Sequence, residues 1–164
     1  YAISAIVGEK DVMDVAQESF ISSTFWTERI GFVAALKTIE IMERENLVDN
    51  AKTVGGYLQN KFRESFSDHP LVGDVRGTGL IAGIELVRDK ANKIPFEPSV
   101  QIGEKITRLL LEEGMINRAI MNTIAFSPPL VVTEGDVDEM VERCNRGLKK
   151  LADHLVAEGM WKAA

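Results

Sequence analysis

Cysteine occurs once in these 164 residues, at Cys144, and histidine twice, at His69 and His154. One thiol cannot staple the chain, and Cys144 is expected to be a small buried hydrophobe in a reducing, cytoplasmic setting. The two histidines lie far apart in sequence, and neither has carboxylate or thiolate ligands at helical spacing. That leaves no metal constellation and no Ser-His-Asp arrangement. No apolar run approaches the ~20 residues a membrane helix requires. Basic residues do not cluster either: 19 Lys and Arg stand against 25 Asp and Glu, a net charge of −6, which argues against a nucleic-acid partner. A secretory leader is not suggested, because Glu9, Lys10 and Asp11 interrupt the start.

What is present is ordinary globular material, 45% hydrophobic and 27% charged, enough for one domain or for a small domain plus a piece of another. Its centre is residues 71–87, where two apolar runs, Leu71–Val75 and Leu80–Val87, flank Arg76-Gly77-Thr78-Gly79. The second run is short and rich in branched aliphatics, which suits a buried strand. The glycines let the backbone turn between the two runs. Helices read on either side would cover the apolar face of such a sheet.

Taken in order, Tyr1–Gly8 reads as a strand. An apolar strand at the very start is expected to pair with strands from elsewhere, as in a fragment of a larger protein. Lys10–Ala16 carries a short helical pattern. Residues 20–31 mix four hydroxyl side chains with aromatics before a helix, an arrangement that either satisfies local backbone groups or holds an anion such as phosphate. A long helix is predicted from Phe32 with Leu36, Ile39 and Met42 on one side. A second follows Asn46, with Leu47, Ala51, Val54, Leu58 and Phe62 inward. Gly55-Gly56 costs that helix about 1 kcal/mol per glycine and implies close packing there. His69, before Pro70, is expected in a surface turn without a partner. Ser99 is placed as the cap of a helix ending at Gly114. Met115–Ile120 and Thr123–Phe126 are short strands around Asn122, closed by Pro128-Pro129. Thr133 to Asp136 opens the last helix as a capping box, with Val137, Met140, Val141, Cys144, Leu148, Leu151 and Leu155 along one stripe. The tail after Gly159 is expected to fray.

Gly77-Thr78-Gly79-Leu80-Ile81-Ala82 imitates a dinucleotide fingerprint, but the residues after it form a strand, where that motif needs a helix. Motif physics alone therefore stops at an α+β piece of a globular protein.

Three segments carry a resemblance. Val75–Val87 resembles the entry to the small-domain sheet of class III aminotransferases, pyridoxal-phosphate enzymes of fold type I. Residues 126–133, Phe-Ser-Pro-Pro-Leu-Val-Val-Thr, are similar to that family's closing Pro-Pro-Leu segment. Residues 22–31 are similar to the segment after the active-site lysine in members related to glutamate-1-semialdehyde aminotransferase. All three lie in family order. The fold this implies is α+β, a small antiparallel sheet of three to four strands packed against amphipathic helices. Residues 1–31 would be the tail of the large cofactor-binding domain and residues 32–164 the C-terminal small domain.

The resemblance also assigns roles. Thr27 matches a threonine that hydrogen-bonds the phosphate of pyridoxal 5'-phosphate across a homodimer. Arg118 matches an arginine that in some ω-aminotransferases swings to pair with a substrate carboxylate, work that suits a permanently charged, bidentate group. Other members carry such an arginine just ahead of Pro-Pro-Leu, where this chain has Ala125. Phe32 stands where the family starts its helix with proline. The lysine that bonds the cofactor precedes the first strand in the family, so it is expected to lie outside this chain, and Lys10, after that strand, is no substitute. The implied reaction is amino transfer from an amino acid or amine to a 2-oxo acid such as pyruvate or 2-oxoglutarate, with the isolated chain inactive. The rival expectation is a stand-alone α/β module that binds a metabolite or self-associates without catalysis.

Overall fold

The computed structural model describes residues 3–19 and 28–162. It divides into two units, residues 1–46 and 47–164. In the first, α1 spans Lys10–Glu18 and α2 spans Ile30–Arg44. The strand expected over residues 1–8 is not found in its described part: residues 3–9 have no regular structure. Strand character needs a hydrogen-bonded neighbour, and the sheet of this chain consists of later segments. α2 begins two residues before Phe32, with Glu28 accepting from the backbone N–H groups of Ile30 and Gly31. Leu36 and Ile39, expected inward, are exposed, and Gly31 is the buried residue of the helix. Ile30, Phe32, Val33, Leu36 and Ile39 spread around much of the circumference, so periodicity does not single out one buried face.

The second unit is built on α3, Leu47–Phe66, which buries Leu47, Val54, Leu58, Phe62 and Phe66. A hairpin follows, β1 over Val72–Thr78 and β2 over Ile81–Asp89, with Gly79 turning at φ +52°. Its seat on α3 is close. A Cβ on Gly55 would lie 2.5 Å from the Gly79 carbonyl carbon. The buried Gln59 donates from Nε2 to the Gly79 and Ile81 carbonyls, at 3.0 Å each. The Gly-Thr-Gly stretch thus serves helix contact, and the element after it is a strand, as expected.

After β2 come the two-residue β3, Ile94–Pro95, a 3-10 turn at Pro98–Val100, and α4, Ile102–Glu112. Ser99 does not cap α4: it lies in the 3-10 turn, and Gln101 at φ +51° occupies the cap position. Pro98 fixes its own backbone and favours the tight turn, displacing the helix start by two residues. Gly114 at φ +77° ends α4. There Arg143 donates to the carbonyls of Glu113 (2.8 Å) and Gly114 (2.7 Å), satisfying acceptors that a helix end leaves open. β4, Arg118–Ile120, and β5, Thr123–Phe126, form a second hairpin through Met121 and Asn122. The sheet is antiparallel in the order β1-β2-β5-β4, with β3 beside β2. This α+β architecture is the one expected, β3 adding a short fifth strand.

α5, Glu134–Ala157, starts at the capping box of Thr133 and Asp136 and buries Val137, Cys144, Leu148, Leu151 and Leu155. Cys144 is fully buried, which pushes its thiol pKa up. Ala82, Ile84 and Leu86 of β2, with Ile124 and Phe126 of β5, form one core with α3, α4 and α5. The tail stays ordered to Trp161, which is buried and donates from its indole N–H to the Arg88 carbonyl at 3.0 Å. Gly159 turns the chain back at φ +68°, so the indole regains apolar cover that composition alone did not reveal.

His69 also departs from expectation. It is half-buried, and its Nδ1 accepts the Leu71 N–H at 3.2 Å. The carbonyls of Ser67 and His69 accept from the Lys90 ammonium. Burial, then the Lys90 charge, hold the imidazole pKa below its ordinary range. The unfolded chain therefore takes up this proton more readily than the folded one. Stability is expected to be full above the ordinary histidine value of about 6.5 and to fall as the pH drops through it. Denaturation midpoints at pH 7.5 and 5.5 check this, with His69→Asn, which keeps an acceptor for Leu71 but cannot titrate, losing His69's share of the dependence.

Candidate functional site

One face of the sheet packs on the helices and the other points outward. Strand alternation fixes which residues share the outward face. Register pairs Arg118 with Ala125, Ala125 with Gly83, and Gly83 with Arg76, a row across all four strands. The neighbouring row holds Ile120, Thr123, Glu85 and Asp74.

Arg76 lies flat over this face. From β1 it pairs with Glu85 on β2 and with Asp74 at 2.9 Å, and it approaches the Thr123 hydroxyl on β5 at 3.4 Å. Between them on β2, Gly83 carries no side chain, and a Cβ there would lie 3.1 Å from the Thr123 methyl. Hydrogen bonds to Asp74 and Glu85 raise its pKa above the usual arginine value. Sequence reasoning passed over this cluster, although alternation along β1 and β2 could have placed Asp74, Arg76 and Glu85 together.

Arg118 stands at the other end of the row, on the edge strand. It is exposed and pairs with no carboxylate among the described residues. Beside it a groove of about 870 Å³ runs between the 95–98 segment, α4 and β4, with Arg108, Asn117 and Met121 in its wall. Both amide atoms of Asn117 are shielded from solvent and unbonded. An unpaired guanidinium at a strand end is equipped to grip a carboxylate. Thr27, the other expected site residue, lies outside the described residues, as does most of the hydroxyl-rich segment.

The model of the aminotransferase class-III family matches residues 1–148. The chain belongs to that family. It is 40% identical over 143 residues to the diaminobutyrate–2-oxoglutarate transaminase of Halomonas elongata, spanning 86% of this chain and 30% of that protein. A solved transaminase from directed evolution by ancestral reconstruction superposes with a TM-score of 0.84 at 39% identity, over 89% of this chain and 34% of that one. The ω-transaminase of Pseudomonas jessenii, solved in complex with PMP, gives 0.68 at 41% identity over 73% and 26%. This chain spans about a third of the length of the curated relatives it matches.

Within this class-III chain, Arg118 and Ala125 are cross-strand partners on the outward face. The described residues do not by themselves form a pyridoxal-phosphate site. That cofactor needs a lysine amine and a phosphate cradle, and the groove beside Arg118 contains no lysine, while Lys10 is exposed on α1 and paired with Asp14. No helix among the described residues is long and apolar enough to cross a membrane.

Proposed function

We propose that this chain is the C-terminal portion of a pyridoxal-phosphate-dependent aminotransferase that moves an amino group from an amino acid or amine to a 2-oxo acid. In this reading residues 1–31 end the large domain and residues 32–164 are the small domain. Thr27 contacts the cofactor phosphate, the assembly is a cytoplasmic homodimer, and the bonding lysine comes from outside this chain. The cofactor supplies the electron sink for amino transfer. On the substrate side, Arg118 receives the carboxylate of donor or acceptor and so orients the reacting carbon.

The observation that carries the proposal is Arg118 itself, a guanidinium with no carboxylate partner among the described residues, in register with Ala125 and Gly83. Arg118→Gln, in an aminotransferase carrying this segment as its C-terminal part, is expected to raise KM for L-alanine and pyruvate roughly 10- to 100-fold. That is the worth of a charge-assisted hydrogen bond. The constants for a carboxylate-free amine should stay within about twofold. Steady-state kinetics with both donor types tests it, and equal losses for both would reject the assignment.

A further inference from the structure

We propose that the cavity between the 68–70 turn, the end of β2 and the tail at 159–162 is a second ligand site, built for an aryl carboxylate. It holds about 740 Å³, within the range of small-molecule sites. It shares no lining residue with the groove beside Arg118, and it stands independently of the role given to that arginine.

The walls are tied together before any ligand arrives. The Trp161 indole donates to the Arg88 carbonyl at 3.0 Å, fixing the tail to β2. Lys90 donates to the carbonyls of Ser67 and His69, fixing the turn after β2 to the turn before β1. The backbone N–H groups of Met160 and Trp161 both return to the Leu155 carbonyl, which holds the tail against the end of α5. Walls braced in this way lose little freedom when a ligand binds.

Charge selects the head of that ligand. Arg88, Lys90 and Lys162 line the cavity together with Asp68 and Asp89, a local excess of cations in a chain whose net charge is −6. Asp89 is engaged in its own turn, where it accepts from the Asn92 N–H at 3.0 Å and from the Asn92 side-chain amide at 2.8 Å. Arg88 and Lys162 are exposed and form no ion pair among the described residues. Lys90 bonds to carbonyls, which carry no net charge. Its field therefore persists, and after burial it is what holds the His69 imidazole below its ordinary range.

Wall composition selects the body. Trp161, Met160, Pro70 and Ala91 supply apolar surface, and Trp161, at 8% exposure, is fixed in place. A flat hydrocarbon covers this surface while its carboxylate takes the free guanidinium. A bare anion would leave the apolar wall wet, and a neutral arene would leave the cations unmatched.

The probe is 2-naphthoate, followed by proton–nitrogen NMR of the 164-residue chain. Its Kd should be roughly 1 mM, as for a ligand of about 13 non-hydrogen atoms, with shifts at the Trp161 indole and the amides of residues 88–91. Arg88→Gln and Lys162→Gln alter exposed side chains and should each weaken binding about three- to fivefold, and the double variant about tenfold. Asp68→Asn, which removes a like charge from the rim, should tighten it about twofold. 2-Naphthamide and inorganic phosphate should each bind about tenfold more weakly than 2-naphthoate. Arg118→Gln should change none of this, so the substrate role of Arg118 can fail while this site stands. The proposal is overturned if no shifts appear at about ten times the expected Kd, or if they centre on the groove beside Arg118. Equal affinity for 2-naphthamide or for phosphate, indifference to the double variant, or weaker binding in Asp68→Asn would overturn it as well.

Discussion

Replacing Phe62 by alanine is expected to cost the chain about 3–5 kcal/mol, the range for removing a fully buried aromatic side chain. Phe62 is 0% exposed. Its ring meets Phe66 edge-on at 5.4 Å between centroids and Phe126 at 4.7 Å. The first contact lies within α3; the second ties α3 to β5, beside the strand that carries Arg118. Truncation therefore opens a cavity where helix and sheet meet, and neighbours on two rigid elements can close it only in part. Domains of this size carry some 5–15 kcal/mol in total, so the loss is a large fraction of what is available. A denaturation curve followed by far-UV circular dichroism measures it. Phe62→Leu should lose much less, and a loss below about 1 kcal/mol for alanine would contradict this packing.

Gly55→Ala is expected to be nearly as damaging, against the usual direction for an exposed helix. In open helix surface the change gains about 1 kcal/mol. At position 55 the new methyl would lie 2.5, 2.7 and 2.8 Å from the Gly79 carbonyl carbon, Cα and oxygen, all backbone atoms. The hairpin must move away, taking with it the two bonds from Gln59. Overpacking of this kind costs about 1–3 kcal/mol, and a backbone clash that also breaks buried hydrogen bonds belongs at the upper end. Gly56 supplies the internal control. Nothing lies within 4 Å of a Cβ there, so Gly56→Ala should stabilise the chain by roughly 0.5–1 kcal/mol. Opposite signs at adjacent residues, read from denaturation midpoints, would establish the contact; equal signs would dismiss it.

Legibility in the sequence followed how local each determinant was. The strands from 72 to 89, the Asn122 hairpin, the stop at Gly114 and the capped α5 with its stripe all depend on neighbours within a few positions, and all are present. Gly55 was recognisable as a close contact, although not that it faces Gly79. The misses depend on distant partners. His69 finds Leu71 and Lys90 through the fold, Trp161 finds Arg88, and the opening apolar segment has no strand beside it among the described residues. Ser99 failed for a local reason, since Pro98 made the 3-10 turn first. For the candidate site, residue 118 was identifiable through resemblance. That 118 and 125 are neighbours, and that Arg76 spans the same face, needed the strand order.

One buried atom has a practical consequence. Cys144, the chain's single cysteine, is enclosed on α5 and its thiol is held well above the ordinary cysteine range, so maleimides should pass it by while the fold is intact. A cysteine placed at the exposed Met121, beside the groove, would take a fluorophore or spin label at one defined address. Labelling of the unaltered chain would in turn report unfolding.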